Sequence, residues 1–594
     1  MNQMMTRRSL IIGGIQGGLG LTLIGRLYFL QVLNKEHYQF LSDKNRIQYL
    51  DLLPTRGKIF DRTGTLIAGN QTTYRSLINL ENKKEIQTLL KFLKSLIHMD
   101  DQTLDRINKQ LKKRLPGHIL LLKEGLSWQE LSILELYSPD LPGLIIEKNQ
   151  TRFYPYSNPV SHITGYVAAA SEKDIEKNPQ LALLGLKVGK SGLEKTQDQS
   201  LQGKSGSKKI EIDATQKIVR TLDIVPSTNG KDLQLTLDLN LQQAVRKILQ
   251  DHLSSAAVVL DINTGAVLAV DSYPSFNSNI FINGLGKEDW KTLINNPHKP
   301  MINKVINGQY SPGSTFKMIV ALAGLSSGVI HPDTCFQCNG HYNFYDHRFH
   351  CWNWKTGGHG NISLQDAIKQ SCDVYFYQLS LLIGAKTIAK VARDFGLGSV
   401  TGIELPSEKS GLIPDPDWKK EFKKKSWTAG ETLNLSIGQG MILTTPLQLA
   451  KMTAMLANGC HLIHPHLIKQ PQNNVLTRLS YSETHQNLIK KSMWEVVNHP
   501  LGTAYRSRII QNDFEMAGKT GSTQVARISL KEREQNTLND RPYHLKEHAL
   551  FVGYAPAYRP RFAVAVVVEH GGSGAKTAAP LGRDILRSAQ QFIP

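Results

Sequence analysis

Ser314 and Lys317 have the residue types and the spacing of a nucleophile and its base. Residues 310–317 read YSPGSTFK, and the apolar residues 318–322 follow at once. Because proline and glycine mark a turn there, we expect Ser314 at the start of a helix, with Lys317 one turn on and on the same face. A serine hydroxyl is a weak nucleophile until a base removes its proton, and an uncharged amine can do so. The pair is therefore a candidate for covalent catalysis that needs further motifs beside it.

Two later motifs complete a series with the first. Ser371-Cys372-Asp373 comes after a helical pattern, and Lys519 opens the segment KTGST in a pattern typical of a strand. Alone, an S-x-x-K is an ordinary helix start and a K-T-G an ordinary hairpin turn. In the order S-x-x-K, S-x-[DN], K-T-G, the three are a known signature of serine acyl-enzyme chemistry. The series predicts one site with these catalytic residues: Ser314, Lys317, Ser371, Asp373 and Lys519.

A cluster of cysteines lies between the first two motifs. Three thiols and one imidazole are donors that suit tetrahedral zinc, which predicts a metal site formed by Cys338, Cys351, His359 and Cys372. Four protein ligands leave no open position, so this zinc would be structural. The alternative is a Cys338–Cys351 disulfide with Cys372 as a small buried residue, because exported domains oxidise neighbouring cysteines. The sequence leaves both open.

The N-terminus predicts a membrane anchor. Arg7 and Arg8 precede residues 9–25, which carry no charge, and no convincing cleavage site follows. Basic residues on the near side favour a single span with the bulk of the chain outside the cytoplasm. The paired arginines also resemble a twin-arginine export signal. We therefore predict that residues 1–45 comprise a cytoplasmic tip, an anchor helix and a juxtamembrane segment.

The rest of the chain divides into two predicted units of an α+β protein. Residues 46–229 are mostly β-like, with an inserted helical lobe at about 83–136, and a strong turn signal at 228–232 marks the boundary. Residues 230–594 alternate strands and helices, which predicts a sheet with helices on its faces. The expected strands are residues 256–261, 266–270, 549–554 and 562–568, and the expected helices are residues 317–325, 364–382, 446–457 and 581–592.

The composition is strongly basic. With 70 lysines and arginines against 50 acidic residues, the formal charge is +20, which favours an anionic neighbour such as acidic lipid or cell-wall polymer. No zinc-finger spacing, aromatic RNA-binding strand or basic heptad region supports nucleic acid, so we predict no nucleic-acid partner.

Several segments resemble one protein family. The transpeptidase domain of class B penicillin-binding proteins is similar to residues 310–317 (YSPGSTFK), 436–440 (SIGQG), 517–524 (AGKTGSTQ) and 553–556 (GYAP). The non-catalytic pedestal of the same family is similar to residues 56–64 (RGKIFDRTG), 152–155 (RFYP) and 189–194 (GKSGLE). Ser371-Cys372-Asp373 with the following VYFYQ is most similar to the elongation-type branch, penicillin-binding protein 2.

The resemblance implies a reaction and a role for each residue. Ser314 would attack the carbonyl of a terminal D-Ala-D-Ala with Lys317 taking its proton, and Ser371 would relay that proton to the departing D-Ala. Asp373 would contact the donor stem peptide or Lys317, and Lys519 would supply positive charge. The substrate-binding residues would be Thr520, Gly521, Ser522 and Thr523, with an oxyanion hole from the backbone N–H groups of Ser314 and Ser522.

The resemblance also implies partners and a location. We expect an α+β penicillin-binding fold with an antiparallel sheet, in a single-pass protein of the bacterial inner membrane whose catalytic domain lies in the periplasm. Stem peptides, β-lactams, a multi-span glycan polymerase and elongation scaffold proteins are the expected partners. No cofactor is needed for catalysis, although elongation-type relatives place metal ligands near the cysteine cluster.

Other functions stay open at this stage. A division-type transpeptidase, a D,D-carboxypeptidase in which water replaces the amine, or a serine β-lactamase would use the same three motifs. A non-catalytic penicillin sensor or scaffold is the alternative from another class, but all three motifs are intact. The residues before Ser9 are also too few for a cytoplasmic output domain.

Overall fold

The computed structural model describes most of the 594-residue chain. The described stretches are residues 7–36, 47–78, 83–97, 120–141, 143–178, 186–212, 218–282, 284–470, 477–526 and 541–593, with a few single residues and pairs between them. The predicted boundary at residues 45 and 46 lies outside these stretches.

A helix stands where the sequence predicts an anchor. It spans Arg7–Tyr28 and continues as a π-helical turn over Phe29–Leu33. In the described residues, no helix is long and apolar enough to cross a membrane, so the predicted single span is not supported. The physical reason lies in the composition of this helix, because six of its residues are glycines and add no apolar side chain.

The described part of the first domain contains ten strands, and the last of them lies just beyond the predicted boundary at residue 229. They are β1 (Ile47–Leu52), β2 (Ile59–Phe60), β3 (Leu66–Ile78), β4 (Leu120–Glu124), β5 (Leu144–Phe153), β6 (Val167–Ala169), β7 (Lys187–Gly189), β8 (Gly206–Ile212), β9 (Ile218–Val225) and β10 (Leu233–Gln234). Three sheets result, in the orders β1-β8-β9, β10-β2-β3-β4 with β5 also on β3, and β6-β7. Short helices connect them at Ser157–Thr164, Glu172–Lys177, Gly192–Thr196 and Asp198–Gln202.

One buried carboxylate ties the first domain together. Glu194 is fully buried and accepts hydrogen bonds at 2.6 Å from Nε of Arg56 and from Nε of Arg152. The three residues come from three distant segments, and each belongs to a different pedestal motif. A buried charge is tolerated only when it is paired and hydrogen-bonded, which explains why the three motifs occur together.

The helical lobe forms a separate small core. Among its described residues, the helices Lys83–Leu96 and Trp128–Leu136 bury leucines and isoleucines such as Ile86, Leu93 and Leu134. The lobe is not wholly helical, because β4 lies inside the predicted range and pairs with β3. The short apolar run at 120–122 could not be distinguished from a helix by periodicity alone.

The second domain is centred on an antiparallel five-stranded sheet. The described strands of the whole domain are β11 (Ser255–Asp261), β12 (Val267–Tyr273), β13 (Cys335–Cys338), β14 (His341–Phe344), β15 (His347–His350), β16 (Gly360–Ser363), β17 (Ala517–Thr523), β18 (His548–Ala555) and β19 (Phe562–Val568). The central sheet has the order β12-β11-β19-β18-β17, with small β13-β16 and β14-β15 pairs beside it. All residues of β19 are buried, so both faces of the sheet are covered.

Helices supply that cover, and two of the three catalytic motifs lie at helix starts. Those packed on the central sheet are Leu239–Leu249, Pro446–Ala457 and Ala579–Phe592, and Glu483–Asn498 packs on β17. The others in this domain are Lys287–Asn295, Lys304–Asn307, Lys317–Ser326, Leu364–Lys369, Asp373–Ile383, Ala385–Asp394, Pro416–Trp418 and Ala429–Ser436. The predicted strands and the helices at 317–325, 446–457 and 581–592 are confirmed. The predicted helix at 364–382 is wrong in one respect, because it breaks at residues 370–372.

Candidate active site

The nucleophile turn, residues 310–316, is held in place from two sides. Gly313 has a φ of +57°, and its N–H donates to the carbonyl of Gly438 at 2.9 Å. Thr523 donates its hydroxyl to the carbonyl of Ser311 at 2.8 Å, which ties the turn to β17. Residues Gly313–Phe316 form a 3₁₀ turn that runs directly into the helix Lys317–Ser326. Ser314 is therefore half-buried at the start of the helical segment, as the turn pattern predicts.

Two lysines, a serine and a carboxylate meet beneath this turn. Nζ of Lys317 lies 3.2 Å from Oγ of Ser371 and 2.8 Å from Oδ1 of Asp373. Nζ of Lys519 donates to the same Ser371 Oγ at 2.9 Å. Both lysines have no exposed surface, and Ser371 is 6% exposed. The structure thus brings the three sequence motifs together around one hydroxyl group.

The break between two helices is what places Ser371. The helix Leu364–Lys369 ends before it, and Cys372 caps the helix Asp373–Ile383 by accepting the N–H of Tyr375 at 3.5 Å. Ser371 itself has a φ of +56°, a conformation that costs energy for any residue other than glycine. That strained backbone directs the Ser371 carbonyl to Nζ of Lys317, 2.9 Å away.

Burial governs the electrostatics of this cluster. Desolvation lowers the pKa of Lys519 well below its usual value, the nearby charge of Lys317 lowers it further, and Asp373 opposes both. Desolvation also raises the pKa of Asp373, although the Lys317 ammonium works against that rise. Lys317 pairs directly with the Asp373 carboxylate, and the fully buried Lys519 is also influenced by its charge. The arrangement therefore favours a state in which one amine is uncharged.

Strand β17 forms the opposite wall of the site. Gly521 leaves room for the nucleophile turn, because a Cβ there would lie 3.0 Å from Cγ2 of Thr315 and 3.1 Å from the carbonyl of Pro312. Thr520 is 7% exposed, and its hydroxyl contacts the hydroxyl of Thr503 at 2.8 Å. The Ser522 hydroxyl accepts the N–H of Gly574 at 3.0 Å.

The four residues of the predicted metal site also come together. One ligand atom from each of Cys338, Cys351, His359 and Cys372 lies within 4.8 Å of all the others. Nδ1 of His359 is 3.6 Å from Sγ of Cys338 and 3.5 Å from Sγ of Cys351. All four residues are buried or half-buried, and their cysteines are free thiols, so the alternative Cys338–Cys351 disulfide is absent among the described residues.

These thiols perturb one another and reach the catalytic residues. Hydrogen bonds from Cys338 and Cys372 lower the pKa of Cys351. Burial opposes a charge on His359, but hydrogen bonds to Cys338 and Cys351 outweigh it and raise the pKa of His359 to about 9. The backbone N–H of Asp373 donates to Sγ of Cys351 at 3.4 Å. The cluster is thus connected directly to the Ser371 segment.

Sequence reasoning missed two residues that support the site. Trp352 donates its backbone N–H to Oδ2 of Asp373 at 3.1 Å and its indole N–H to the carbonyl of Gln370 at 2.9 Å. Thr503, described above beside Thr520, lies in a loop outside every motif. The adjacency of Trp352 to Cys351 was a usable signal, whereas nothing in the sequence marks Thr503.

Comparison with known proteins decides the family. The penicillin-binding protein transpeptidase domain matches residues 255–587, and the penicillin-binding protein dimerisation domain matches residues 51–235. The chain belongs to the penicillin-binding proteins. It is 34% identical over 579 residues to the peptidoglycan D,D-transpeptidase MrdA of Acinetobacter baumannii, covering 94% of this chain and 84% of that protein. Against MrdA of Escherichia coli K12 the identity is 32%, covering 93% and 89%.

Solved structures of penicillin-binding protein 2 have the same architecture. The Helicobacter pylori protein in complex with MreC has a TM-score of 0.80 at 29% identity, covering 92% of this chain and 99% of that one. The Pseudomonas aeruginosa protein in complex with WCK 5153 has a TM-score of 0.68 at 30% identity, covering 91% and 96%. The predicted family, its serine transpeptidase class and its penicillin-binding protein 2 branch are confirmed.

Proposed function

We propose that this chain cross-links peptidoglycan stem peptides as an elongation-type D,D-transpeptidase, through an acyl-enzyme on Ser314. The observation that carries the proposal is the convergence of Lys317 and Lys519 on the Ser371 hydroxyl, at 3.2 and 2.9 Å. That arrangement provides a base next to the nucleophile turn and a hydroxyl that can pass a proton onward.

The first half-reaction forms the acyl-enzyme. Oγ of Ser314 attacks the carbonyl carbon of the penultimate D-Ala while Lys317 accepts the hydroxyl proton. Ser371 relays a proton to the nitrogen of the terminal D-Ala, so that the C–N bond breaks and D-Ala leaves. Ser371 suits this relay, because its Oγ lies within hydrogen-bond distance of both Lys317 and Lys519.

The second half-reaction transfers the acyl group to an amine. The amine nitrogen of a second stem peptide attacks the ester carbonyl carbon and loses a proton to Lys317. The bond from that carbon to Oγ of Ser314 then breaks as Lys317 returns a proton to Oγ, which regenerates the free Ser314 hydroxyl. In a carboxypeptidase, water takes the place of that amine. β-Lactams mimic D-Ala-D-Ala, so they acylate Ser314 and leave slowly.

Strand β17 binds the substrate in this proposal. The hydroxyls of Thr520 and Ser522 hold the terminal carboxylate, since alternate residues of a strand share one face. Gly521 contributes by lacking a side chain, and Thr523 by holding the nucleophile turn against the strand. The backbone N–H groups of Ser314 and Ser522 stabilise the oxyanion, a contribution of about 3–4 kcal/mol per donor in such sites.

We further propose a structural zinc ion at the Cys338, Cys351, His359 and Cys372 cluster. With Zn–S bonds of about 2.3 Å and Zn–N bonds of about 2.0–2.1 Å, tetrahedral ligands S and N are separated by about 3.6 Å. The sulfur-to-Nδ1 distances of 3.6 and 3.5 Å match that separation. The ion would fix the segment that carries Ser371, and it would take no part in acyl transfer.

The proposed setting is the periplasmic face of the inner membrane. Exposed apolar side chains along the helix Arg7–Tyr28, such as Ile11, Leu21 and Leu23, support its role as the anchor. For partners, the complex of penicillin-binding protein 2 with MreC supports a scaffold protein. A peptidoglycan synthase complex for polymerisation and crosslinking, with a TM-score of 0.71 over 98% of this chain, supports a glycan polymerase.

Labelling with a fluorescent penicillin tests the nucleophile. The wild-type chain should take up one covalent label, Ser314→Ala should take up none, and Ser326→Ala should label normally. Ser326 is the matched control because it lies on the same helical segment and its hydroxyl donates to the carbonyl of Ala323, away from the catalytic cluster. Label retained by Ser314→Ala would refute the site.

The products separate the related activities. With a D-Ala-D-Ala donor and a stem-peptide amine, a transpeptidase releases D-Ala and forms the cross-linked dimer. Release of D-Ala without dimer would indicate a carboxypeptidase, and rapid turnover of penicillin would indicate a β-lactamase.

A further inference from the structure

Two hydroxyl groups on one face of β17 have different partners. Oγ of Ser522 accepts the N–H of Gly574 at 3.0 Å, so the single hydroxyl hydrogen of Ser522 is left for another acceptor. Oγ1 of Thr520 lies 2.8 Å from Oγ1 of Thr503, and either oxygen can be the donor of that bond. The direction of this second bond decides whether Thr520 can donate to a ligand.

The loop that carries Thr503 is held rigidly. It follows the helix Glu483–Asn498, and the N–H of Gly502 donates to the carbonyl of His499 at 2.8 Å. The N–H of Ala504 donates to the carbonyl of Val496 at 2.9 Å. Gly502 packs so tightly that a Cβ there would lie 2.3 Å from the same Val496 carbonyl. Thr503 is therefore presented to Thr520 from a fixed position.

We propose that Thr503 is a positioning residue that orients the Thr520 hydroxyl toward the substrate carboxylate. A carboxylate only accepts hydrogen bonds, so Thr520 must give it the one hydrogen that its hydroxyl has. Thr520 then accepts a hydrogen bond from Thr503 and donates one to the substrate. These two hydrogen bonds form a relay from Thr503 through Thr520 to the carboxylate. The relay rests on the proposed function, because it needs a ligand whose carboxylate binds at Thr520.

The relay extends a pattern already present at Ser522. There a backbone N–H fills an acceptor position of the hydroxyl and leaves its hydrogen available, and at Thr520 the Thr503 hydroxyl does the same. Both donors come from segments outside the three catalytic motifs. Two oriented hydroxyl groups can then donate to the two oxygens of one carboxylate. An ester or an amide lacks the charged pair of oxygens, so the site distinguishes a free terminal acid from both.

Acylation of the full-length chain by a penicillin and by its methyl ester tests the relay, because only the acid has the carboxylate. Thr503→Val removes the hydroxyl and keeps the branched shape. It should slow acylation by the acid by up to about tenfold, the upper end of the value of one hydrogen bond between neutral groups. Acylation by the ester should change less than about twofold, and Thr503→Ser should restore the acid rate.

Thr432→Val is the matched control. The Thr432 hydroxyl is also buried and also accepts a side-chain hydrogen bond, from the indole N–H of Trp427 at 2.8 Å. Its helix, Ala429–Ser436, packs mainly on the helix Asp373–Ile383. This variant should leave the acid-to-ester rate ratio unchanged. Thr503→Ala removes the same hydroxyl with a smaller side chain, so the ratio can be measured even where the valine variant fails to fold.

Two results would overturn the relay. One is an equal slowing of acid and ester in the Thr503 variants, which would indicate a general structural role. The other is no slowing of either. A wild-type chain that neither penicillin nor its ester acylates would instead contradict the proposed function, so the two failures are distinguishable.

Discussion

Asp373→Asn should show how strongly the buried carboxylate stabilises the catalytic cluster. Oδ1 of Asp373 lies 2.8 Å from Nζ of Lys317, with side-chain exposures of 15% and 0%. At an effective dielectric constant of about 20, two unit charges at this distance attract by roughly 6 kcal/mol. Asparagine keeps a hydrogen-bond acceptor, and one amine can lose its proton, so the net loss should be about 3–5 kcal/mol.

The pH dependence of that loss has a definite sign. Asp373 raises the pKa of Lys519, so its removal lowers that pKa further below the unfolded value. A lysine whose pKa is lower in the folded protein than in the unfolded chain destabilises the folded protein. The penalty is complete below the folded-state pKa and disappears as the pH rises to the unfolded-state pKa. The deficit of Asp373→Asn relative to wild type should therefore shrink as the pH rises through the folded-state pKa values of Lys519, and it should not grow between pH 7 and pH 9.

Scanning calorimetry of wild type and variant at both pH values measures this. For a domain of this size, a loss of 3–5 kcal/mol corresponds to a fall of about 4–7 °C in the melting temperature at pH 7. Glu288→Gln is the control, because Glu288 and Lys291 are also 2.8 Å apart but are 84% and 64% exposed. That exposed pair should contribute less than about 1 kcal/mol. Equal effects of the two variants, or a deficit that grows with pH, would refute the reasoning.

Two further predictions concern packing and metal. Gly521→Ala should slow penicillin acylation at least about tenfold, because the added Cβ pushes β17 away from the nucleophile turn. The control is Gly430→Ala, whose added Cβ has no other atom within 4 Å, and it should not slow acylation. Acylation unchanged in Gly521→Ala would contradict the packing argument. Protein purified without chelator should contain one zinc per chain, Cys351→Ser should lose it, and the buried, remote Cys460→Ser should keep it. A metal-free wild type would end the zinc proposal.

The sequence predicts the catalytic residues well because their chemistry imposes local patterns. A nucleophile at the start of a helical segment needs turn residues before it and apolar residues after it, and residues 310–322 show both. The strands β18 and β19 were predictable for a similar reason, since a strand buried on both faces is continuously apolar. Such features depend on neighbours in the sequence.

Other parts of the site depend on contacts between distant segments. Periodicity cannot show that the helix at 364–382 breaks, because the break depends on the positive φ of Ser371. It also cannot show that Thr523 turns its hydroxyl to Ser311 or that Thr503 lies against Thr520. At the N-terminus, the absence of charge over residues 9–25 suggested a membrane span, but uncharged glycines add little hydrophobicity to the helix.

The position of β17 at the end of the sheet order has a consequence for the whole molecule. An outermost strand keeps one row of backbone N–H and C=O groups without a neighbouring strand, which allows an extended peptide to add there by main-chain pairing. The same row invites pairing with other copies of the chain. The nucleophile turn and the segment Gly574–Ala578 pack against β17 and limit the space beside it. The segments packed beside β17 thus both restrict which peptides reach the strand and hinder its pairing with other copies of the chain.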